Sequence, residues 1–211
     1  MTDERQTEGS KKRRPRRKAE ETRQDIQAAA EALFRQRGIA KSSIADIAHE
    51  LAMSPANVFK HFQSKTVLVD AICDRHISRM IERFKTFEDP APAPERLALV
   101  VHKLMEAHLR DIRENPFFLE LIFVMSDTDL KSGKHYGELI EGLFLELIRH
   151  GVESGVYRCG DCKAASRYVA AAFASVLHPV FLAHTSEDEL GERCEGIAGL
   201  VNAALQNPLA K

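Results

Sequence analysis

The sequence predicts an all-α fold of about nine helices: a three-helix N-terminal head followed by a larger helical body. Three observations carry this. Apolar residues recur at three- and four-residue spacing through most of the 211 residues, and no stretch alternates as a strand would. Helix caps and prolines punctuate the chain at intervals of helix length. The charge is also divided: residues 1–62 hold 13 Lys and Arg against 9 Asp and Glu, the remainder 17 against 22. A basic head on an acidic body points to a polyanion partner for the head alone.

Residues 1–18 are polar, lack apolar periodicity and end in KKRRPRRK, so a disordered basic arm is expected there. It reads either as a solvated tail, as a nuclear-import signal, or as an arm whose Arg16 and Arg17 lie along a nucleic-acid backbone. The first helix begins near Ala19. Ile26, Ala30, Leu33 and Phe34 form one stripe, and Gly38 followed by Ile39 stops it. Ser43 caps a second helix with Asp46 three positions on; Ile44, Ile47, Ala48 and Leu51 share its inner face. Ser54 caps a third, with Pro55 in the first position, where a missing N–H costs nothing. Val58 and Phe62 face inward. Ala56, Asn57, Lys60 and His61 face outward, with Phe59 at the edge. A long fourth helix opens at Gln63 or Ser64 and runs to about Thr86, burying Val67, Leu68, Ala71 and Ile72, then Ile77, Met80, Ile81 and Phe84. EDPAPAP at 88–94 breaks the chain. Further helices are expected at 95–113, 116–125, 135–154, 161–184 and 187–206, with Pro179 kinking or breaking the fourth of these.

Two short helices joined by a tight AMS turn, the second presenting small and polar side chains outward, make a helix-turn-helix. Pro55 and Ala56 let the backbone approach base edges. Asn57 can pair with adenine through two hydrogen bonds or make a single hydrogen bond elsewhere. Lys60 and His61 can reach phosphates, as can Lys65 at the start of the fourth helix, whose N-terminal N–H groups add to it; the caps Ser43 and Ser54 are further candidate DNA contacts.

Residues 22–68, TRQDIQAAAEALFRQRGIAKSSIADIAHELAMSPANVFKHFQSKTVL, resemble the DNA-binding domain of the TetR family of bacterial transcriptional regulators. The likeness rests on the A…LF…RG pattern of the first helix, the SIxDIA of the second and the HFxSKxxL block after the third. It implies a homodimeric DNA-binding regulator, most often a repressor of a palindromic operator, released when a small hydrophobic molecule enters the body. The domains would then be the arm at 1–18, the DNA-binding head at 19–65 and a ligand-binding and dimerisation body at 66–211. Two positions depart from the family. Ala52 stands where Gly is usual, which predicts a strained or altered turn. Phe59 stands where Tyr is usual, which removes a hydroxyl contact to phosphate.

The body supplies His102, Met105, Leu109, Phe117, Phe118, Phe123, Phe144 and Phe173 as candidates for an apolar pocket, each of which also reads as ordinary core. The small-residue-rich stretches AASRYVAAAFASVLHPVFLAH and CEGIAGLVNAAL suit the close helix approach that the family uses for its dimer interface. CGDC at 159–162 reads as an incidental loop pair, a redox pair or half a zinc site; no second CxxC accompanies it. Thiol or partner control without a small-molecule effector is the alternative regulatory reading. An enzyme is disfavoured: there is no nucleophile motif, phosphate-binding Gly loop or metal cluster, and no cofactor is expected. The charged N-terminus lacks a signal-peptide core, and the longest apolar run, VAAAFASVLHPVFLA, is too short to span a bilayer. A cytoplasmic protein with reduced cysteines and no membrane partner is therefore expected.

Overall fold

In the computed structural model the described residues are 17–85, 91–117, 119–120 and 131–207, and every regular element among them is a helix. The head holds α1 (Arg17–Arg37), α2 (Ile44–Glu50) and α3 (Pro55–His61). α4 (Lys65–Lys85) leads into the body, which holds α5 (Ala93–Glu114), α6 (Lys131–Glu153), α7 (Cys162–Ala172), α8 (Ala174–Leu177), α9 (Pro179–His184) and α10 (Glu187–Gln206). The helix expected at 116–125 lies largely outside the described residues, as does the arm before Arg17.

The stretch expected as one helix at 161–184 is three. His178 is held extended (φ −79°, ψ 129°) because the proline ring that follows disfavours helical backbone before it. Its Nδ1 then accepts from the Val180 N–H, capping α9. The other step falls at Phe173, which is fully buried.

Two apolar cores result. The head core gathers Ile26, Ala30, Leu33 and Phe34 of α1, Ile44, Ile47 and Ala48 of α2, and Val58 and Phe62 of α3. It also takes in Leu68, Val69, Ile72 and Cys73 from the first half of α4, and Phe117 from beyond α5. Met80 and Ile81, from the second half of α4, join the body core instead. One continuous helix, roughly 30 Å long at 1.5 Å per residue, therefore contributes to both cores. Val67, expected inside, is 43% exposed, because the stripe that meets the head core runs through Leu68 and Val69. The side chain of Phe84 lies outside the described residues.

The body core centres on Leu97, Leu104, Phe144, Ile148 and Phe173, with the Phe144 and Phe173 rings stacked at 5.5 Å and 15°. Tyr157 closes one end. Its ring lies across Gly151, where any Cβ would meet it at 2.0 Å, and its hydroxyl donates to Asn202 Oδ1 at 2.6 Å. Asn202 in turn donates to the Pro94 carbonyl, so α5, α6 and α10 are tied at one corner. Among the described residues no helix is long and apolar enough to cross a membrane.

The α2–α3 turn accommodates Ala52 in the left-handed region at φ 49°. Its N–H donates to the His49 carbonyl and that of Met53 to the Ala48 carbonyl, the paired bonds of a Schellman ending, whose first residue past the cap is left-handed. A Cβ there costs about 1 kcal/mol. Ala52→Gly is accordingly expected to stabilise the head by about 0.5–1 kcal/mol, read as a higher urea midpoint; an unchanged or lower midpoint would contradict strain at this turn.

Candidate nucleic-acid interface

The caps of α2 and α3 and the end of α3 are held by specific contacts. Ser43 and Asp46 form a reciprocal capping box on α2: the Asp46 N–H donates to Ser43 Oγ at 3.1 Å, and the Ser43 N–H donates to the carboxylate at 2.8 Å. The Ser43 hydroxyl also donates to that carboxylate, and these bonds hold the Asp46 carboxyl below its ordinary range. Ser54 Oγ accepts from the Asn57 N–H at 3.3 Å, and Pro55 opens α3. At the other end of α3, Arg23 of α1 donates to the His61 carbonyl at 2.8 Å and stacks its guanidinium 4.1 Å above the Phe62 ring.

What remains outward on α3 is Ser54, Pro55, Ala56, Phe59 and Lys60, all exposed, with Asn57 and His61 half-buried. Among the described residues the Asn57 amide makes one long hydrogen bond, to the Met53 sulfur at 3.7 Å, which a base edge could replace cheaply. Phe59 is 48% exposed and so presents an apolar ring at the surface instead of packing beneath it. Ser43, the α2 cap, is exposed as well. Arg16 and the side chain of Arg17 lie outside the described residues.

Lys65 is placed differently from a purely phosphate-seeking side chain. Its ammonium donates to the Ile39 carbonyl at 2.8 Å and the Ser42 carbonyl at 3.0 Å, closing the α1–α2 loop from α4. The same loop gives its Ile39 and Ala40 N–H groups to the Glu120 carboxylate at 2.8 and 2.7 Å. Gly38, at φ +81°, sits against that carboxylate, which a Cβ would meet at 3.0 Å. Glu120 was invisible to sequence reasoning because it lies about eighty positions from the N–H groups it binds.

The pocket candidates separate into unlike places. Phe117 belongs to the head core, its ring 5.9 Å from that of Phe34, rather than to the body. His102 is on the surface beside Glu106 at 3.5 Å, with its side chain 45% exposed. Met105, Phe144 and Phe173 are buried in the body core, and Leu109 is half-buried against it. The side chains of Phe118 and Phe123 lie outside the described residues. Cys159 and Cys162 are partly buried near the α6–α7 turn, and burial with the neighbouring Cys162 raises the Cys159 thiol above its ordinary value. Among the described residues no three His, Cys, Asp or Glu side chains come together as a metal site.

A capped two-helix unit with an exposed polar recognition face, mounted on a helical body, defines a DNA-binding transcriptional regulator. The family profile described as "Bacterial regulatory proteins, tetR family" matches residues 26–72, and that described as "Tetracyclin repressor-like, C-terminal domain" matches residues 93–198, half of the chain. The chain belongs to the TetR family. It is 34% identical over 110 residues to the HTH-type transcriptional regulator TtgR of Pseudomonas putida, covering 48% of this chain and 52% of that protein. To the uncharacterised HTH-type regulator YerO of Bacillus subtilis it is 31% identical over 91 residues, or 43% of this chain and 31% of that one. The chain thus spans about half the length of TtgR, or less of YerO, in these alignments. Among solved structures, a TetR-family regulator from Pectobacterium atrosepticum superposes with a TM-score of 0.62 at 22% identity, covering 94% of this chain and 99% of that one. The repressor FadR of Thermus thermophilus, in complex with lauroyl-CoA, gives 0.66 at 21% identity, covering 89% and 97%. RolR, in complex with resorcinol, gives 0.64 at 16% identity, covering 93% and 99%.

Proposed function

We propose that this protein is a repressor that binds a palindromic operator as a homodimer and is released by a small, mainly apolar effector. The observation that carries the DNA-binding part is the exposed face of α3, with Asn57 lightly held and its neighbours small. On this reading Asn57 reads a base edge, and Pro55 and Ala56 allow close approach. Phe59 meets apolar base surface such as a thymine methyl. Lys60, His61 and the arm residues Arg16 and Arg17 follow the phosphates, helped by the helix starts at Ser43 and Ser54. Lys65 acts chiefly by shaping the loop, with one ammonium N–H left for phosphate. The head at 19–65 carries recognition, and the body at 66–211 carries the effector and the dimer contact.

The dimer contact falls on α7 and α10. Tyr168 is 72% and Leu200 75% exposed, an unusual display for large apolar side chains. Gly196 and Gly199 on α10 have open space where a Cβ would stand, so a second helix can approach closely. Effector control is supported by the resorcinol and lauroyl-CoA bound to RolR and FadR. Redox control is not favoured, since a thiol raised above its ordinary range presents little thiolate.

The test is fluorescence anisotropy on the DNA upstream of the protein's own gene, titrated with salt. Wild type is expected to bind steeply salt-dependently, and Asn57→Ala to lose about 1–3 kcal/mol. Leu200→Glu is expected to sediment as a monomer and to lose most operator affinity. Equal binding by wild type and Asn57→Ala would remove Asn57 as a base reader, and a dimeric Leu200→Glu would remove α10 from the interface.

A further inference from the structure

Buried polar groups are nearly always hydrogen-bonded, so two that are not, side by side, call for a partner. His108 lies inside the body on α5. Its Nδ1 is 2.7 Å from the Leu104 carbonyl, which can only accept, so Nδ1 carries the proton. The ring is neutral: burial draws its pKa down to about 4, the Leu104 carbonyl acting in the opposite sense and the His178 charge adding to the fall. Nε2 is therefore a bare lone pair, buried and without a hydrogen-bond partner among the described residues. The hydroxyl of Tyr136, on α6, is likewise buried and unpartnered among the described residues. The two rings meet edge to face, with centroids 5.5 Å apart at 84°. Leu104, Met105 and Ile112 share the His108 side of α5 with Asp111, and on α6 the apolar Ile140 follows Tyr136 by one turn as the buried Ser132 precedes it.

We propose that His108 Nε2 and the Tyr136 hydroxyl form the polar end of an effector site between α5 and α6, which takes an uncharged, mainly apolar alcohol or phenol. The chemistry selects this class. Nε2 can only accept, so the ligand must bring an O–H or N–H. The Tyr136 O–H can then donate to the same ligand oxygen, and one hydroxyl satisfies both groups. A carboxylate offers Nε2 no proton and would bury a charge beside a neutral ring. A plain hydrocarbon leaves both groups unpaired, and sites built to bond a hydroxyl reject the analogue that lacks it. The site's regulatory meaning rests on the ligand-released reading above; its binding chemistry does not.

The test is calorimetric titration of the full chain with phenols of graded size (phenol, 4-ethylphenol, 2-naphthol, 4-phenylphenol), beside the hydrocarbon 1-ethyl-4-methylbenzene and 4-ethylbenzoate. At least one phenol is expected to bind, and the hydrocarbon and the carboxylate at least about tenfold more weakly than 4-ethylphenol. His108→Phe and Tyr136→Phe keep the rings and remove the polar atoms, and each is expected to lower phenol affinity at least about tenfold. Thermal melting confirms that both variants fold, and His108→Phe should melt no lower than wild type because an unsatisfied acceptor has gone. Binding of no phenol, equal binding by His108→Phe, or equal binding of the hydrocarbon would overturn the assignment. Anisotropy with operator DNA separates the two claims. Phenols that bind through His108 without releasing DNA would leave the site standing and refute effector control. DNA release by a compound indifferent to both substitutions would do the reverse.

Discussion

Phe117→Ala is expected to destabilise the head by about 3–5 kcal/mol, the range for emptying a buried aromatic position. Phe117 is 3% exposed and packs against Phe34 within the head core, although it follows α5 of the body in sequence. It is flanked by two polar attachments to the same head. Asn115 Oδ1 accepts from Arg35 Nε at 2.9 Å, and Glu120 binds the Ile39 and Ala40 N–H groups. Removing the ring should loosen all three, since the backbone that presents Asn115 and Glu120 is positioned by it. Hydrogen exchange is the decisive measurement. Amides of α1 and of the 38–42 loop should exchange faster in Phe117→Ala, while those of α10 stay protected. If head amides are unaffected, Phe117 does not anchor the segment. On the proposed reading, a body that holds the head through Asn115, Phe117 and Glu120 as well as through α4 would have two handles with which to turn it.

Glu31→Gln is expected to cost about 2–3 kcal/mol at neutral pH. The carboxylate is 6% exposed on α1 and binds three cationic or titratable partners. Arg75 Nη2 donates to Oε2 at 2.5 Å, His76 Nε2 lies 2.9 Å from Oε1, and Arg35, one turn further along α1, bonds the same oxygen. Arg75 also donates to Gln27 Oε1 at 3.0 Å. Removing one partner of a buried ion pair usually costs about 3–5 kcal/mol. The lower figure applies because Arg35 is 46% and Arg75 22% exposed, so solvent screens the orphaned cations. Burial pushes the Glu31 carboxyl up, but the His76 hydrogen bond and the charges of His76, Arg35 and Arg75 together take it below its ordinary value. A depressed carboxyl contributes stability that is present above its unfolded pKa, about 4.3, and is lost as pH falls through the lower native value. Urea unfolding should therefore show the wild-type advantage over Glu31→Gln at pH 7 and its decline below about pH 4. A difference that persists undiminished at pH 3 would mean that the ionised carboxylate is not its source.

Both effects act on one junction, where α1, α4 and the segment after α5 meet. The polar clamp and the apolar plug are complementary. Glu31 ties α1 to α4 through Arg75 and His76. Phe117 and Glu120 tie the head to the chain beyond α5. α4 is also tied to the start of α6, where Asp70 accepts the Ser132 N–H at 3.0 Å and Asp74 meets His135 at 2.5 Å. Side-chain contacts thus run from the start of α6 through α4 to the head, the route that effector control, as proposed above, would use.

The features legible in the chain itself are local. Gly38 ends α1 at a positive φ, and Ser43 and Ser54 cap α2 and α3. Pro55 opens α3, and Ala52 betrays its strained turn, because each of these acts on backbone groups within about five residues. The stripes of α1 and α2 were equally legible, since a 3.6-residue period shows which side chains share a face. Which face meets what was settled only in three dimensions. Lys65 turns to carbonyls 26 and 23 positions away, and Glu120 caps N–H groups 81 and 80 positions away. Phe117 joins the head, Val67 turns outward, and of two histidines on α5 it is His108, not His102, that lies inside. The physical reason is one of range: a helix records its own caps and its own apolar stripe, whereas a contact across eighty residues depends on the path of the backbone between, which no local period encodes.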